Sequence, residues 1–462
     1  MTNRKKPVPG LAPRHAALWL LTRILDEDTP LDRALEAGLA KDGPLTRLAD
    51  RDRAFARTML MTCLRHLGQI DALLKAFQER PLPRRAGPTR HILRLGTAQI
   101  LFLGTAPHAA VASAMELATR DRNARHFKNL VNALLRRTAR EGAETLATLG
   151  DAGRLNTPDW LWAGWEAYYG AAQAQAIATA HLAEPPLDFS LRDHSTQSDY
   201  AVSLDAAPLP FGGLRRNGGG AVATLSGFDA GDWWIQDFAA SLPARLLGDV
   251  KGMRVLDLCA APGGKTAQLC AAGAEVTALD RAAGRIARLN GNLARLGLTA
   301  ETVTADATEW RPAQPFTHIL LDAPCSATGT IRRHPDIPWR KSRNEIATLT
   351  ALQDRLLAAA ADMLAPGGVL VYCTCSLEPQ EGEERIANFL ANRTDFTRRP
   401  LTATEFPGFD AVEQAITENG DLRTLPCLWP DRGGMDGFYA ARLNRSGQPR
   451  GLRLHSGAQA DT

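Results

Sequence analysis

Apolar residues recur at helical spacing along the first part of the chain. From His15 to Glu141 they fall three or four positions apart, and no alternating strand pattern interrupts them. The spacing predicts an all-α N-terminal domain over residues 14–141, after a basic arm, residues 1–13, that we expect to be disordered. The predicted helices are His15–Asp26, Leu31–Ala40, Arg51–Phe77, Thr89–Phe102, His108–Arg120 and Phe127–Arg140.

The pattern changes after residue 141. Residues 142–155 are rich in alanine and glycine and lose the helical period, which predicts a linker. Residues 156–231 mix helical and strand-like pieces and predict a small α/β module. Its opening segment carries Trp160, Trp162 and Trp165, which fit either packing of the module or stacking on nucleobases.

Short apolar runs that end in an acidic residue alternate with helical stretches over residues 232–443. This alternation predicts a Rossmann-like, doubly wound α/β sheet with its ligands at the carboxyl ends of the strands. A helix over Trp233–Leu247 is predicted to lead into the sheet, and the polar tail, residues 444–462, is expected to be disordered. The predicted strands are the run that opens at Val255, then Glu275–Asp280, Glu301–Asp306, Thr317–Asp322 and Gly368–Ser376.

Composition is that of a soluble globular protein. The 462 residues are 45% hydrophobic, enough for two or three domains, and no run of about 18 uncharged apolar residues predicts a membrane span. The first residues lack the apolar core of a secretion signal, so a cytoplasmic location is expected. Seven scattered cysteines fit a reducing compartment better than a disulfide framework.

Charge is distributed unevenly. Residues 1–150 contain 25 Lys and Arg against 14 Asp and Glu, a net +11, which leaves −7 for the remainder of a chain whose total is +4. A basic module joined to an acidic one indicates a polyanionic partner such as RNA. A solvated helical surface with paired arginines accounts for the same numbers.

The segment Val255–Lys265 reads V-L-D-L-C-A-A-P-G-G-K, a strand followed by a glycine turn and a helix start. It presents backbone N–H groups to a ligand, although paired glycines also serve turns that bind nothing. An acid about 20 residues after such a loop is placed to bind a ribose, which favours Asp280, with Asp306 and Asp322 lining the same crevice. Because the full spacings G-x-G-x-x-G and G-x-x-x-x-G-K-S/T are missing, a nucleoside without phosphates is favoured.

Two cysteines follow the fourth and fifth predicted strands. Cys325 lies in D-A-P-C-S and Cys375 in Y-C-T-C-S. In doubly wound sheets that serve methyl transfer these strands are parallel neighbours, so both thiols are expected at one rim, near the glycine loop. Cys373 adds a third thiol, but C-x-C lacks the paired spacing of zinc sites and no fourth ligand stands out, so no metal is predicted.

A thiolate beside a nucleoside cofactor has a specific use. Its addition to carbon 6 of cytosine converts carbon 5 into a nucleophile that can take a methyl group from a sulfonium. A group at nitrogen 3, such as Asp322, must neutralise the charge that forms on the ring. A second cysteine can assist when the carbon 5 proton leaves and the thiol is eliminated. Spacing alone does not say which cysteine attacks.

The motifs D-L-C-A-A-P-G-G-K-T, D-A-P-C-S, R-R-H-P-D-I, Y-C-T-C-S and G-M-D-G-F resemble those of the RNA cytosine-5 methyltransferase family. The segments A-D-R-D-R-A-F, P-H-A-A-V-A-S-A-M-E-L-A-T-R and K-N-L-V-N-A-L-L-R resemble a NusB-type RNA-binding domain. Together they are similar to the RsmB (Sun/Fmu) type, which acts on small-subunit ribosomal RNA. The resemblance covers the chain up to about Leu443.

The resemblance implies S-adenosylmethionine as cofactor, Cys375 as the nucleophile and Cys325 as the residue that helps release the product. Lys265 either holds the loop or stabilises charge in the site. The implied cofactor contacts are Cys259, Ala260, Ala261, Pro262, Gly263, Gly264, Lys265, Asp280, Asp306 and Asp322.

The expected function is formation of 5-methylcytosine in 16S rRNA. The same chemistry on transfer RNA shares every catalytic motif, and the NusB-like module alone favours 16S rRNA. A non-catalytic RNA-binding assembly factor is the third hypothesis, which Cys325, Cys375, Asp322 and Lys265 argue against. The oligomeric state is not predicted.

Overall fold

The structure is a computed structural model that describes residues 10–218 and 220–447. The chain divides into two compact units. The helical unit comprises residues 10–184 and 330–343, and the sheet unit comprises residues 185–329 and 344–447. Within the described ranges, no helix combines the length and apolarity needed to cross a bilayer.

Helices account for the secondary structure of residues 10–184 apart from short 3-10 turns, so the predicted all-α N-terminal domain is confirmed. The helices are α1 (Leu11–Leu25), α2 (Leu31–Leu39), α3 (Asp50–Arg65), α4 (Leu67–Phe77), α5 (Thr89–Leu101), α6 (Pro107–Arg120), α7 (Lys128–Thr148), α8 (Ala152–Leu155), α9 (Asp159–Tyr169) and α10 (Ala171–Ala180). In α3, Met59, Cys63 and Leu64 are buried at the helical repeat that the sequence displays. The single helix predicted over Arg51–Phe77 is broken at His66.

A small antiparallel sheet opens the sheet unit, in the order β2-β3-β1-β4. Its elements are β1 (Leu187–Leu191), α11 (Gln197–Ser203), β2 (Ala207–Pro208), β3 (Gly213–Arg216) and β4 (Trp233–Ile235). The Arg215 guanidinium lies 2.7 and 2.6 Å from the two carboxylate oxygens of Asp188, and both side chains are buried. This arginine therefore stabilises the sheet from within.

The larger sheet has the order β10-β12-β9-β8-β5-β6-β7, and β11 pairs with β12. Its elements and the interposed helices are α12 (Phe238–Arg245), β5 (Arg254–Leu258), α13 (Gly264–Ala271), β6 (Glu275–Asp280), α14 (Ala283–Leu296), β7 (Glu301–Thr304), β8 (Phe316–Asp322), α15 (Ile337–Arg340), α16 (Arg343–Met363), β9 (Leu364–Thr374), α17 (Glu383–Asn392), β10 (Phe396–Arg398), α18 (Val412–Ala415), β11 (Leu422–Thr424) and β12 (Phe438–Arg445).

Strands β5 to β9 are parallel, whereas β10, β11 and β12 pair in antiparallel fashion. The predicted Rossmann-like sheet is confirmed. The strand order reverses beside β5, which has β6 on one side and β8 on the other. In open α/β sheets that reversal creates a crevice at the carboxyl ends of the strands.

Residues 330–343, which contain α15, pack within the helical unit. The Trp339 indole donates to the Leu64 carbonyl at 2.9 Å. The Asp336 carboxylate accepts from the Leu31 amide at 3.1 Å, where α2 begins. Part of the R-R-H-P-D-I motif therefore has a structural role in that unit.

Two predicted boundaries between the domains are wrong. The predicted linker, residues 142–155, contains the end of α7 and all of α8, because its small residues sit at close contacts and do not loosen the chain. A Cβ on Gly142 would lie 3.2 Å from Leu101, and one on Gly153 would lie 3.1 Å from Ala178. Helices α9 and α10 belong to the helical unit, so the module predicted over residues 156–231 begins later, at Pro185.

The predicted ends also need correction. Helix α1 begins at Leu11, inside the predicted disordered arm, and Leu11 and Pro13 are buried. Strand β12 continues to Arg445, because Asn444 pairs with Val369 of β9. Residues 1–9 and 448–462 lie outside the described residues. The helix predicted over Trp233–Leu247 starts as strand β4 and becomes helical at Phe238.

Candidate active site

The glycine turn after β5 leads directly into α13. Gly263 has a left-handed backbone with φ +103°, and a Cβ there would lie 2.9 Å from Leu289. Gly264 borders open space, since the nearest atom to a Cβ there would be the Gln236 amide nitrogen at 3.8 Å. The first N–H groups of a helix have no intrahelical partner. The turn therefore presents backbone donors with room for a ligand.

Helix α14 and the end of β6 brace the other side of this turn. Arg285 donates to the Ala261 carbonyl, and the Asn292 amide donates to the Pro262 carbonyl at 2.9 Å. Asp280 is 2% exposed, and its Oδ1 accepts from the Ala282 amide at 3.1 Å. Among the described residues its buried Oδ2 has no hydrogen-bond donor, although Arg285 Nη1 lies 3.4 Å away. This oxygen fits a ribose hydroxyl.

Asp306 lies two residues beyond β7 and is exposed. The Thr308 hydroxyl and amide donate to its Oδ1 at 2.6 and 2.8 Å, and these hydrogen bonds lower the pKa of Asp306. The carboxylate is thus fixed in orientation while it stays accessible. It lies at the carboxyl ends of the parallel strands, on the same side of the sheet as Asp280.

Lys265 and Asp322 form an ion pair where the strand order reverses. Lys265 Nζ lies 2.8 Å from Asp322 Oδ2 and 5.0 Å from the centre of the Phe438 ring. Burial opposes the lysine charge, but the charge and hydrogen bond of Asp322, together with the influence of Cys373 and Cys375, outweigh burial and raise the pKa of Lys265. The lysine is therefore an ammonium ion at neutral pH, and it links the glycine turn to the end of β8.

Cys325 and Cys375 lie side by side. Their sulfur atoms are 3.5 Å apart, within range of a thiol hydrogen bond. The pairing of β8 with β9 brings this about, because Asp322 is aligned with Cys373 at the strand ends. The hydrogen bond to Cys375, followed by burial, raises the pKa of the Cys325 thiol.

Cys373 takes no part in that pair. It is buried, donates to Asp322 Oδ1 at 3.4 Å, and burial raises the pKa of its thiol. Burial likewise raises the pKa of Cys259 in the glycine turn. Across residues 10–218 and 220–447, no group of three or more His, Cys, Asp or Glu side chains is arranged to hold a metal ion.

Two side chains at the site lie outside the set predicted from the sequence. Phe438 belongs to G-M-D-G-F, a motif to which no role is assigned, and its ring lies beside Lys265. Glu381 follows Y-C-T-C-S by five residues, is fully buried, and accepts hydrogen bonds next to both cysteines. The sequence does not reveal that Glu381 is buried, so its place in the site becomes visible only in the structure.

A cavity of about 520 Å³ in the sheet unit has neither Cys325 nor Cys375 in its lining. It lies between the small sheet and helices α12 and α13, where its lining includes Ser190, His194, Gln236 and Arg245. Its lining includes part of α13 but not Lys265, Asp322, Cys325 or Cys375. The geometry of the thiols and charges, and not cavity size, therefore locates the candidate active site.

Similarity to known proteins agrees with this geometry. Residues 11–140 match the NusB family, and residues 244–444 match a family described as 16S rRNA methyltransferase RsmB/F. Ribosomal RNA small subunit methyltransferase B of Pseudomonas putida is 35% identical over 455 residues, which cover 95% of this chain and all of that protein. The chain belongs to the RsmB/F family. The protein of the same name from Vibrio cholerae is 34% identical over 94% of this chain and 97% of its own length.

RsmB/F membership makes this chain an S-adenosylmethionine-dependent rRNA methyltransferase, and the cofactor prediction is confirmed. The crystal structure of PH0851 covers 96% of this chain and 100% of its own, with a TM-score of 0.73 and 23% identity. That similarity shows the fold. The open glycine turn and the unsatisfied Asp280 oxygen fit a nucleoside cofactor.

Gly329 is a packing constraint of the RsmB/F site. Its amide donates to the Cys375 carbonyl at 2.9 Å, and a Cβ there would lie 1.9 Å from the Gly437 carbonyl oxygen. Gly329→Ala should lower the free energy of unfolding by about 1–3 kcal/mol and reduce turnover, because Cys375 must shift. Urea denaturation and methyl transfer assays measure both. Gly291→Ala, at a helical glycine with no atom near its Cβ position, should leave turnover unchanged.

Asp257 should make RsmB/F stability depend on pH. It is fully buried in β5, where Thr266 donates to it at 2.6 Å, and burial raises its pKa from 3.8 to about 7. The folded state thus keeps a proton that the unfolded chain releases. The stabilising contribution is present below about pH 4 and is lost as pH rises towards 7. In Asp257→Asn, the urea midpoint should fall less than in the wild type between pH 5 and pH 8. Equal falls would contradict this assignment.

Proposed function

We propose that this enzyme methylates carbon 5 of a cytosine in 16S rRNA through a covalent bond between Cys375 and carbon 6. The observation that carries the proposal is the pair of thiols 3.5 Å apart, beside the Lys265–Asp322 ion pair. Acyl-transfer or metal-dependent chemistry has no need of two adjacent thiols. Nucleophilic addition followed by assisted elimination uses both.

In the first step the Cys375 thiolate adds to carbon 6. The ring electrons move towards nitrogen 3, which takes a proton lent by the Lys265–Asp322 pair, and carbon 5 becomes an enamine carbon. S-adenosylmethionine, when bound, supplies the methyl group to that carbon. The proton on nitrogen 3 returns to the pair when the bond from sulfur to carbon 6 breaks, before the product leaves the site.

In the second step the carbon 5 proton leaves and the bond from sulfur to carbon 6 breaks. Cys325 accepts that proton and passes its own proton to the departing Cys375 sulfur, while the ring double bond re-forms. The thiol pair starts with one proton, ends with two and releases one to solvent. The raised pKa of Cys325 supports this role. A neutral thiol has a proton to pass to the departing sulfur, and it is too poor a nucleophile to compete with Cys375.

The cofactor site proposed for this reaction uses the residues predicted from the sequence. Backbone groups of the turn from Cys259 to Gly264 would hold the amino-acid and sulfur portion, and Asp280 would accept hydrogen bonds from the ribose hydroxyls. Asp306 lies at the rim of the same crevice, where it would meet the base. Lys265, which directly follows the turn, contacts Asp322, three residues before Cys325.

The proposal is tested by methylation of purified RNA. The full-length enzyme, labelled S-adenosylmethionine and a 16S rRNA transcript should yield labelled 5-methylcytosine at one position on nuclease digestion. Transfer RNA in place of 16S rRNA should remain unlabelled. Label in transfer RNA alone would instead support the second candidate substrate, and RNA binding without methyl transfer would support an assembly factor.

The basic face of the helical unit should contribute to RNA binding. Arg136 and Arg140 are exposed on α7 and line a groove of about 420 Å³ together with His108, Val111 and Met115. Removing both arginines should weaken 16S rRNA binding and lower the salt slope by about 0.7 per lost phosphate contact. Filter binding over a salt series measures the slope. Arg33→Ala, at an exposed arginine on α2 that does not line the groove, should leave it unchanged.

A further inference from the structure

A single buried acid, Glu381, connects the two turns that carry the reactive cysteines. It lies in a 3-10 turn after β9, Pro379–Glu381, and its side chain is fully buried. The Tyr372 hydroxyl donates to the Glu381 backbone carbonyl at 2.8 Å, which holds the backbone from which the side chain extends. The carboxylate then reaches the residue that follows each cysteine, Ser326 and Ser376.

The Glu381 carboxylate accepts hydrogen bonds from the serine that follows each cysteine and from one glutamine. Oε1 accepts from the Ser326 amide at 2.9 Å and from the Gln353 amide at 3.1 Å. Oε2 accepts from the Ser376 hydroxyl at 2.6 Å, from the Ser326 amide at 3.1 Å and from the Ser326 hydroxyl. An ionised carboxylate has the acceptor capacity for all of these donors. Charge-assisted hydrogen bonds of this kind hold backbone geometry more firmly than neutral ones.

The two turns depend on Glu381 to different degrees. The Cys375 turn has further supports, since Arg423 donates to the Ser376 carbonyl at 2.5 Å and the Gly329 amide donates to the Cys375 carbonyl. The Cys325 turn is bound to Glu381 through both the amide and the hydroxyl of Ser326. Its further support, the Gln353 amide that donates to the Pro324 carbonyl at 2.8 Å, also donates to Glu381. Loss of the carboxylate should therefore displace Cys325 more than Cys375.

We propose that Glu381 is a positioning residue that holds the Cys325 turn against Cys375 for the release of the methylated product. The proposal rests on the covalent route proposed above, in which Cys325 serves the second step. The charge of Glu381 is also among the influences that keep the Cys325 thiol protonated, after the hydrogen bond to Cys375, burial and the charge of Cys375. Geometry and charge thus act on the same thiol.

The test compares full-length Glu381→Gln with the wild type, using a 16S rRNA transcript and S-adenosylmethionine. Glutamine keeps the size of the side chain, but its amide nitrogen is a donor. That nitrogen would face hydroxyl and amide groups that donate to a carboxylate oxygen in the wild type. We expect kcat to fall about tenfold with KM for both substrates unchanged, as for one lost charge-assisted contact. We also expect a protein–RNA adduct on denaturing gels, because release slows more than addition. The exposed Glu384→Gln on α17 is the matched control and should behave as the wild type.

Cys325→Ala, run in parallel, separates the two proposals. If Cys325→Ala accumulates adduct and Glu381→Gln does not, the role of Glu381 is overturned while the covalent route stands. If neither variant yields adduct, the covalent route fails and the inference fails with it. A fall in adduct formation and turnover by the same factor, with a lower melting temperature, would reduce Glu381 to a structural residue and overturn the inference. Should Glu381→Gln not fold, Ser326→Ala removes one donor and should show the same adduct with about a threefold loss of kcat.

Discussion

Cys375→Ala should abolish methyl transfer to 16S rRNA, with a loss of more than about 10³-fold in kcat. The thiolate is the group that makes carbon 5 nucleophilic, and no other side chain near the site replaces it in the proposed route. Cys325 lies 3.5 Å away, but the raised pKa of its thiol leaves it protonated at neutral pH. Transfer of a labelled methyl group to the transcript measures the loss.

The control is Cys270→Ala. This thiol, on α13, donates to the Thr299 carbonyl at 3.3 Å, two residues before β7. Its removal should leave methyl transfer within about twofold of the wild type, as expected for a partly buried structural cysteine. If Cys375→Ala kept wild-type activity, Cys375 would be excluded as the nucleophile.

Cys325→Ala should trap the enzyme on its substrate. Addition of Cys375 and methylation of carbon 5 remain possible, but the carbon 5 proton and the departing sulfur lose their proton carrier. A complex of protein and RNA should therefore accumulate to near-stoichiometric amounts and survive denaturing electrophoresis. Multiple turnover should fall by more than about a hundredfold, the scale of losing a general acid–base group.

Denaturing gels before and after nuclease treatment measure the complex directly. The double variant Cys325→Ala with Cys375→Ala is the control, because it lacks the thiol that forms the bond. Normal turnover without adduct in Cys325→Ala would mean that the second thiol does not take part in release.

Much of the fold follows from local sequence rules. Helices α1 to α7 repeat apolar residues at three or four positions, β6 and β8 are short apolar runs that end in an aspartate, and β5 carries an aspartate next to its last residue. The boundaries around residues 142–155 do not follow, because glycine at a close helix contact and glycine in a linker look alike in a sequence. The short strand β4, predicted as the start of a helix, depends on tertiary contacts.

The candidate site was predictable to the extent that topology determines it. Parallel neighbours bring Cys325 and Cys375 to one rim, and the glycine turn lies beside them. The 2.8 Å contact of Lys265 with Asp322 and the buried carboxylate of Glu381 depend on side-chain packing, which residue spacing does not encode.

The most direct test of the covalent route uses a 16S rRNA transcript that contains 5-fluorocytidine. Fluorine at carbon 5 cannot leave as a proton, so after methyl transfer the enzyme should stay bonded to carbon 6. Proteolysis and mass spectrometry of the complex then identify the attached cysteine. A modified nucleotide on Cys375 is the expected result, whereas attachment to Cys325, or methylated product with no complex, would contradict the covalent route through Cys375.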